Sequence, residues 1–296
     1  MNWKKMRALY PSLVLWEPDL EVDYSTYNWF KREDGRVFGI QRTQLSDYDE
    51  TVLNAIFTRV QVTKRARTKR EVLWEQALFG EEAGEMLDID TFRLIFFEID
   101  CRTGDLSLIE EGLKAIFFEP MPLLWLSHDT GVIVEEFHEK ENEMVDLDEV
   151  IETIMSDLYV NLHFFVGERM TDVKSVKYQF QWMKKVACFS FQRLAKDVMY
   201  VKDILPYLLV NHLDKDEREY VSAILLKEVR EEKELLQTIQ TYLESNSNVT
   251  EAAKKMYMHR NSLQYRIDKF IEITNIDIRT FEGAVTTYLA LKMLDV

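Results

Sequence analysis

The sequence predicts an α+β protein of several domains: a small α/β region, a second α/β domain in the middle, and an all-α region at the C-terminus. Its 296 residues exceed what one ordinary hydrophobic core needs. Short apolar runs alternate with helical patterns over residues 91–190, whereas the apolar spacing from Val173 onward is helical nearly throughout. We place the three domains at residues 1–85, 86–215 and 216–296.

The composition is that of a folded cytoplasmic protein. Hydrophobic residues make up 47% of the chain, and there are only 9 Gly and 5 Pro. No apolar run approaches the roughly 20 residues of a membrane span, and the N-terminus lacks the apolar stretch and cleavage site of a secretory signal. Cys101 and Cys188 lie in apolar surroundings without a partner spacing, so we expect two buried, reduced thiols.

The net charge of −15 is unevenly distributed along the chain. From Gln237 to Val296 seven basic residues balance seven acidic ones, so the whole excess of acid precedes Gln237. Thr250 to Phe270 carries five basic residues against two acidic ones, a local charge of +3. A basic stripe on an acidic body favours docking of one face to a polyanion, and it argues against a broad, non-specific nucleic-acid surface.

The N-terminal region predicts a β-hairpin followed by helices. Residues 27–40 form two aromatic-rich strands around a turn at 33–36, a helix runs from Ser46 through Val60, and another begins at Trp74 and stops near Gly80. Several aromatic side chains either fill the core, which we favour, or line the pocket of a small-molecule sensor. They are Trp16, Tyr27, Trp29, Phe30 and Phe38.

The middle region predicts the element order β-α-β-β-α-β, which is ferredoxin-like or palm-type. A tight turn at Ser127–Gly131 joins the second and third strands. The predicted strands are 92–99, 123–126, 132–137 and 162–166, and the helices are 106–118 and 147–159.

The C-terminal region predicts a charged connector helix at 216–234 and then three shorter helices. The connector has Val221, Ile224, Leu225 and Val229 on its apolar side. The first short helix has an apolar stripe at Leu235, Leu236, Ile239, Tyr242 and Leu243, and the third has one at Leu263, Ile267, Phe270 and Ile271.

The second short helix is slim, because Ala252 and Ala253 occupy its inner face. We expect Thr250 to cap it and a three-residue break, Tyr257–His259, to separate it from the third helix. A short helix, a tight turn and a second helix that crosses the first is the helix-turn-helix plan.

The polar side of the third helix is suited to DNA. The outward positions are Arg260, Asn261, Gln264, Tyr265, Asp268 and Lys269. Arg, Asn and Gln match guanine and adenine edges in the major groove, and the helix N-terminus offers free N–H groups to phosphate. The same pattern also describes an ordinary surface helix, so periodicity alone leaves both interpretations open.

The segment from Leu235 to Phe270 resembles the C-terminal helix-turn-helix of the PucR/CdaR family of transcription regulators (purine catabolism and sugar diacid). The family pattern LLxTLxxYL is similar to Leu235–Leu243, and its alanine pair corresponds to Ala252-Ala253. The HRNTLxYRL run corresponds to His259–Ile267, with Ser and Ile as mild changes. The family often has Gly in the turn, where this chain has Tyr257 or Met258.

The resemblance implies a DNA-binding regulator that acts as a homodimer on an operator and responds to an unidentified small-molecule effector. His259 and Arg260 would start the recognition helix, Asn261, Gln264 and Tyr265 would read bases, and Arg266 and Lys269 would hold phosphates. Packing is an equally good interpretation of Tyr265, and a local ion pair is an equally good interpretation of Arg266. The expected DNA-binding residues are Thr250, Lys254, His259, Arg260, Asn261, Ser262, Gln264, Tyr265, Arg266 and Lys269.

The family also implies a degenerate GGDEF (diguanylate-cyclase-like) middle domain. A cyclase needs acids that hold two divalent metals, and Asp100 stands at the first such position. The hairpin lacks the Gly-Gly and paired acids, and Asp129 alone is a turn residue.

We therefore expect no enzyme activity, metal or cofactor in this chain. Walker, HExxH and GxSxG motifs are also missing from the sequence. The alternatives are a nucleotide-binding receptor or enzyme built on the middle domain, and a protein-interaction module in the last helices.

Overall fold

The computed structural model describes residues 3–17, 20–32, 36–60, 62, 67–80, 87–100, 106–117, 120–137 and 145–295. Contacts between Cα atoms divide the chain into two compact units, Met1–Val201 and Lys202–Val296. The chain is mixed α+β: both β-sheets lie in the first unit, and the second unit is helical over its described residues.

The N-terminal part of the first unit is a four-stranded antiparallel sheet with strand order β1-β3-β2-β4. Alternate side chains of β2 and β3 enter different cores, with Phe30 and Phe38 on one side and Trp29 and Val37 on the other. The elements are α1 (Trp3–Leu9), β1 (Val14–Leu15), β2 (Tyr27–Lys31), β3 (Val37–Gln41), α2 (Asp47–Ile56), β4 (Thr58–Val60) and α3 (Lys69–Phe79).

The predicted hairpin is confirmed, and its tip at residues 33–35 lies outside the described residues. The predicted helix at 46–60 is wrong beyond Ile56, because Thr58–Val60 pairs with β2 instead. Among the apolar residues of this helix, Leu53 is buried, whereas Val52 and Ile56 are exposed. Of the five aromatic residues, Tyr27, Trp29, Phe30 and Phe38 are buried, as the core-filling interpretation expects, and Trp16 is half-buried against the same core as Trp29.

The middle part contains the predicted order β-α-β-β-α-β, from β5 to β8. Its sheet has strand order β6-β7-β5-β8-β9, with antiparallel pairs throughout except for the parallel pair β8·β9. The elements are β5 (Thr91–Asp100), α4 (Leu106–Ala115), β6 (Leu123–Trp125), β7 (Thr130–Phe137), α5 (Leu147–Leu158), β8 (Asn161–Val166), α6 (Val176–Arg193) and β9 (Val198–Tyr200).

Two features of this part differ from the sequence-based expectation. Strand β9 falls in a stretch predicted to be helical, because it completes the sheet edge beside β8. Cys188 was expected to be buried but is exposed on α6, because Val186, Ala187 and Ser190 occupy the inner face of that helix. Cys101 lies outside the described residues.

The C-terminal unit is helical and contains a core that includes Ile239, Ala252, Leu263 and Ile267. Its helices are α7 (Val201–Asn211), α8 (Lys215–Leu226), α9 (Lys233–Glu244), α10 (Val249–Lys255), α11 (Arg260–Thr274) and α12 (Phe281–Asp295).

The connector differs from its prediction, because α8 stops at Leu226 and α9 begins at Lys233. Val229 is buried, but Ile224 is exposed, because Ser222 and Leu226 form the inner side of α8. Among the described residues, no helix combines the length and the apolar character that crossing a bilayer requires.

Candidate nucleic-acid interface

Helices α9, α10 and α11 pack on one another through the apolar stripes predicted from their spacing. Each of the three pairs is in contact, and the stripes bury Leu235, Ile239, Tyr242, Leu263, Ile267 and Phe270. Ala252 and Ala253 are buried on α10, so two small side chains occupy the inner face of this helix and allow close packing.

The cap of α10 differs from the prediction. Asn248, not Thr250, precedes the helix, and its side-chain oxygen accepts hydrogen bonds from the Thr250 N–H (3.0 Å) and the Glu251 N–H (3.2 Å). Thr250 therefore lies inside the first turn, exposed, and Lys254 is exposed near the end of the same helix. Both residues keep side chains free to meet a ligand from outside.

The turn between α10 and α11 spans four residues, Met256–His259, rather than the predicted three. Tyr257 takes the left-handed conformation with φ 53°, and its side chain is 98% exposed. The Met258 N–H returns to the Ala253 carbonyl (2.9 Å) and closes the turn. The backbone therefore adopts the conformation that favours glycine at the position where this chain has tyrosine.

His259 caps the start of α11. Its Nδ1 atom accepts a hydrogen bond from the Asn261 N–H (3.2 Å), which fixes the ring against the first turn and leaves the side chain exposed. The imidazole therefore begins the helix in the way that Ser or Asp does elsewhere.

The outer side of α11 is open within the C-terminal unit. Arg260, Asn261, Ser262 and Tyr265 are exposed, whereas Gln264 is half-buried and donates to the Asp268 carboxylate (3.2 Å). Tyr265 does not pack into the core, since 69% of it is exposed. The N-terminal half of α11 thus presents donors and acceptors of the kinds that read base edges.

The two remaining predicted residues lie on the edge of α11 that faces α9, and both are ion-paired. Arg266 Nη1 donates to the buried Thr238 hydroxyl (2.8 Å), and Arg266 Nη2 lies 3.4 Å from a Glu234 carboxylate oxygen. Lys269 Nζ lies 2.5 Å from Glu232 Oε2. The pairing agrees with the local ion pair considered for Arg266 at the outset, and neither cation is isolated in the structure.

The local charge differs from the count along the sequence. Lys255 pairs with Glu251, and Arg279 pairs with Asp268, in addition to the two pairs on the α9 edge. Counting Lys254, Lys255, Arg260, Arg266, Lys269 and Arg279 against Glu232, Glu234, Glu251 and Asp268 gives 6 − 4 = +2. In the part of the chain that the structure describes, Lys254 and Arg260 make no ion pair.

Sequence reasoning missed Glu232 and Glu234, because the charge count began at Gln237 and only tertiary packing brings these acids beside α11. It also missed the cap at Asn248, although Asn two residues before Thr250 is a recognisable signal. Arg279 follows α11 and reaches back to Asp268 across a turn, a contact that no spacing rule predicts.

The middle domain holds its turn carboxylate in an ion pair. Asp129 is buried, pairs with the Lys31 ammonium, and accepts a hydrogen bond from the Ser127 hydroxyl (2.7 Å). Asp100 ends β5, and its side chain lies outside the described residues. Among the described residues there is no group of three metal-ligating His, Cys, Asp or Glu side chains.

Comparison with known proteins identifies the class of the C-terminal segment. Residues 235–293, which run from α9 into α12, match the family model of the PucR C-terminal helix-turn-helix domain. The chain is therefore a DNA-binding transcriptional regulator of the helix-turn-helix class. This segment is similar to the PucR/CdaR regulators, as the residues of α9 to α11 predicted.

Three relatives are similar over different lengths. The uncharacterized protein YxkF of Bacillus subtilis (strain 168) is 28% identical over 292 residues, 96% of each chain. The purine catabolism regulatory protein of the same strain is 33% identical over 99 residues, 33% of this chain and 18% of that protein. The carbohydrate diacid regulator of Escherichia coli (strain K12) is 24% identical over 141 residues, 46% of this chain and 37% of that protein.

Proposed function

We propose that this chain is a sequence-specific regulator that binds an operator in double-stranded DNA as a homodimer, in the cytoplasm, under the control of a small-molecule effector. The observation that carries the proposal is the open side of α11, where Arg260, Asn261 and Tyr265 are exposed while the apolar stripe of the same helix is buried. A helix anchored by one face and polar on the other can enter a major groove without unfolding.

Each of the ten predicted DNA-binding residues has a proposed role that follows from its position. Arg260, Asn261, Gln264 and Tyr265 meet base edges, because they lie on the outer side of the N-terminal half of α11. His259 and Ser262 hold the start of α11 against the DNA backbone. The proposed phosphate contacts are Thr250, Lys254, Arg266 and Lys269.

A homodimer would place two copies of α11 about 34 Å apart, one turn of B-DNA. An operator with two inverted half-sites at that spacing is the expected target. An operator that contains only one half-site would count against the dimer, but it would not count against DNA binding.

We further propose that the middle domain is a degenerate GGDEF-like scaffold rather than an enzyme, within a three-part chain divided near residues 85 and 215. The sheet order β6-β7-β5-β8 supports this proposal, because it is the order of a ferredoxin-like core. The ion pair between Asp129 and Lys31 supports it too, since this carboxylate already has a cation as its partner. Calorimetry with GTP and Mg²⁺ tests the proposal, because strong metal-dependent nucleotide binding would overturn it.

The function is tested by operator binding. Genomic footprinting identifies the operator, and fluorescence anisotropy then measures the affinity of the full chain for it. Arg260→Ala should weaken binding about 5- to 150-fold, the equivalent of roughly 1–3 kcal/mol for a lost base contact. Arg7→Ala is the matched control, because Arg7 is exposed on α1 and its removal changes the charge equally. An equal loss of operator affinity in both variants would overturn the proposal. So would the finding that the chain binds no DNA and instead forms a salt-insensitive complex with another protein.

A further inference from the structure

A cleft lies along the edge of α11 that faces α9, and two ion pairs, Arg266–Glu234 and Lys269–Glu232, line it. The cleft has a volume of about 500 Å³ and is lined by Glu232, Glu234, Asn261, Ser262, Tyr265, Arg266 and Lys269, together with Leu235. Polar side chains of the proposed recognition helix thus share one surface with two acids from the start of α9.

Glu234 and Glu232 bind the two cations, Arg266 and Lys269, that a DNA phosphate would contact. A carboxylate and a phosphate oxygen bind a lysine ammonium by the same charge-assisted hydrogen bond, so the two are competitors for it. A duplex that approached this edge would also meet the negative charges of Glu232 and Glu234 themselves.

We propose that Glu232 is an internal competitor of the DNA backbone, which holds the Lys269 ammonium until a phosphate displaces it. This inference rests on the proposed function, because it takes Lys269 to be a phosphate contact. It goes further by assigning to an acidic residue outside the helix-turn-helix a direct control over operator affinity and its salt dependence.

Glu232, rather than Glu234, is the effective competitor because of how each cation is held. Arg266 stays anchored on the buried Thr238 hydroxyl when its contact with Glu234 breaks, and the Glu234 side chain is 88% exposed. Lys269 is half-exposed and so is Glu232. A pair of this exposure contributes about 1 kcal/mol or less, so an incoming phosphate can replace the carboxylate at little cost.

The exchange does not require α9 to unfold. Glu232 is the N-cap residue of α9, but its side chain makes no capping hydrogen bond. The carboxylate can therefore rotate away from Lys269 while the helix start stays in place, and a Gln at this position should leave the fold unchanged.

The test compares Glu232→Gln with Glu231→Gln in the full chain. Glu231 is exposed one residue away, so its replacement removes the same charge without touching Lys269. By anisotropy with the operator duplex, Glu232→Gln should bind roughly two- to fivefold more tightly than wild type. This gain should shrink as salt is added, because salt already weakens the competing ion pair between Lys269 and Glu232 in the wild type. Glu231→Gln should show a distinctly smaller gain.

A double-mutant cycle isolates the pair from general electrostatics. In a Lys269→Gln background, Glu232→Gln should gain no more affinity than Glu231→Gln does. An equal gain from both Gln variants, or a Glu232→Gln gain that survives without Lys269, would overturn the inference. Failure of the wild-type chain to bind any operator would instead overturn the proposed function, so the two failures are distinguishable.

Discussion

Replacing Tyr257 by glycine should stabilise the helix-turn-helix. Tyr257 has φ 53° and is 98% exposed, so its ring contributes no packing that a glycine would lose. The left-handed conformation costs a residue with a Cβ atom about 1–2 kcal/mol. Glycine avoids that strain but gains about 0.5–1 kcal/mol of freedom in the unfolded chain. The difference leaves a net stabilisation of about 0.5–1 kcal/mol.

Hydrogen exchange read by mass spectrometry measures this effect locally in the full chain. Peptides from α10 and α11 should become protected roughly two- to fivefold more strongly in Tyr257→Gly, because tenfold corresponds to about 1.4 kcal/mol.

Tyr159→Gly is the matched control, since Tyr159 also has φ 53° and is 94% exposed, but lies at the end of α5 in the other unit. It should leave the protection of α10 and α11 unchanged. Reduced protection of those peptides in Tyr257→Gly would refute the strain argument and show that the tyrosine ring holds the turn.

Three further predictions concern the frame of the helix-turn-helix. Asn248→Ala should cost about 1 kcal/mol, measured as faster hydrogen exchange in α10, because two N–H groups lose their acceptor, whereas Thr250→Ala should change it little. Ala253→Leu should lower the free energy of unfolding of this unit by about 1–3 kcal/mol in a urea titration, because the site is buried against neighbouring helices, and the exposed control Lys254→Leu should not. The C-terminal unit should lose stability above about pH 10, because Lys292 then loses its proton and its stabilising charge. Burial opposes its charge, but a hydrogen bond with Tyr207, followed by the charges of Tyr207, Tyr288 and Glu244, raises its pKa above the ordinary value. The stabilisation is therefore present below the unfolded pKa and is lost as the pH rises through the folded one, so Lys292→Met should flatten the pH dependence of the urea midpoint, and an unchanged slope would contradict the assignment.

The local parts of the site follow from spacing along the chain. Leu263, Ile267 and Phe270 are buried because a helix with residues at i, i+4 and i+7 has one apolar face. The family often has Gly in the turn, and the structure shows left-handed backbone there at Tyr257. Helical spacing was sufficient for the buried stripe, whereas the turn was flagged by the resemblance.

The parts that sequence did not predict depend on contacts between distant segments. Strand β4 forms because β2 offers a free edge, and β9 forms because β8 does, although neither segment has a strong strand pattern. Glu232 reaches Lys269 across 37 residues of sequence. A charge count along the chain cannot include such a partner, so the edge proposed to bind phosphate has less net positive charge than the sequence indicated.

The operator affinity of the double variant Arg260→Ala, Gln264→Ala decides whether the outer side of α11 contacts the operator. Both residues lie on the side of α11 that we assign to the major groove, and neither belongs to the buried stripe. We expect the affinity of this variant for the operator to fall to that for a scrambled duplex, while its far-UV circular dichroism stays unchanged. An operator affinity equal to that of the wild type, with the fold intact, would contradict this expectation.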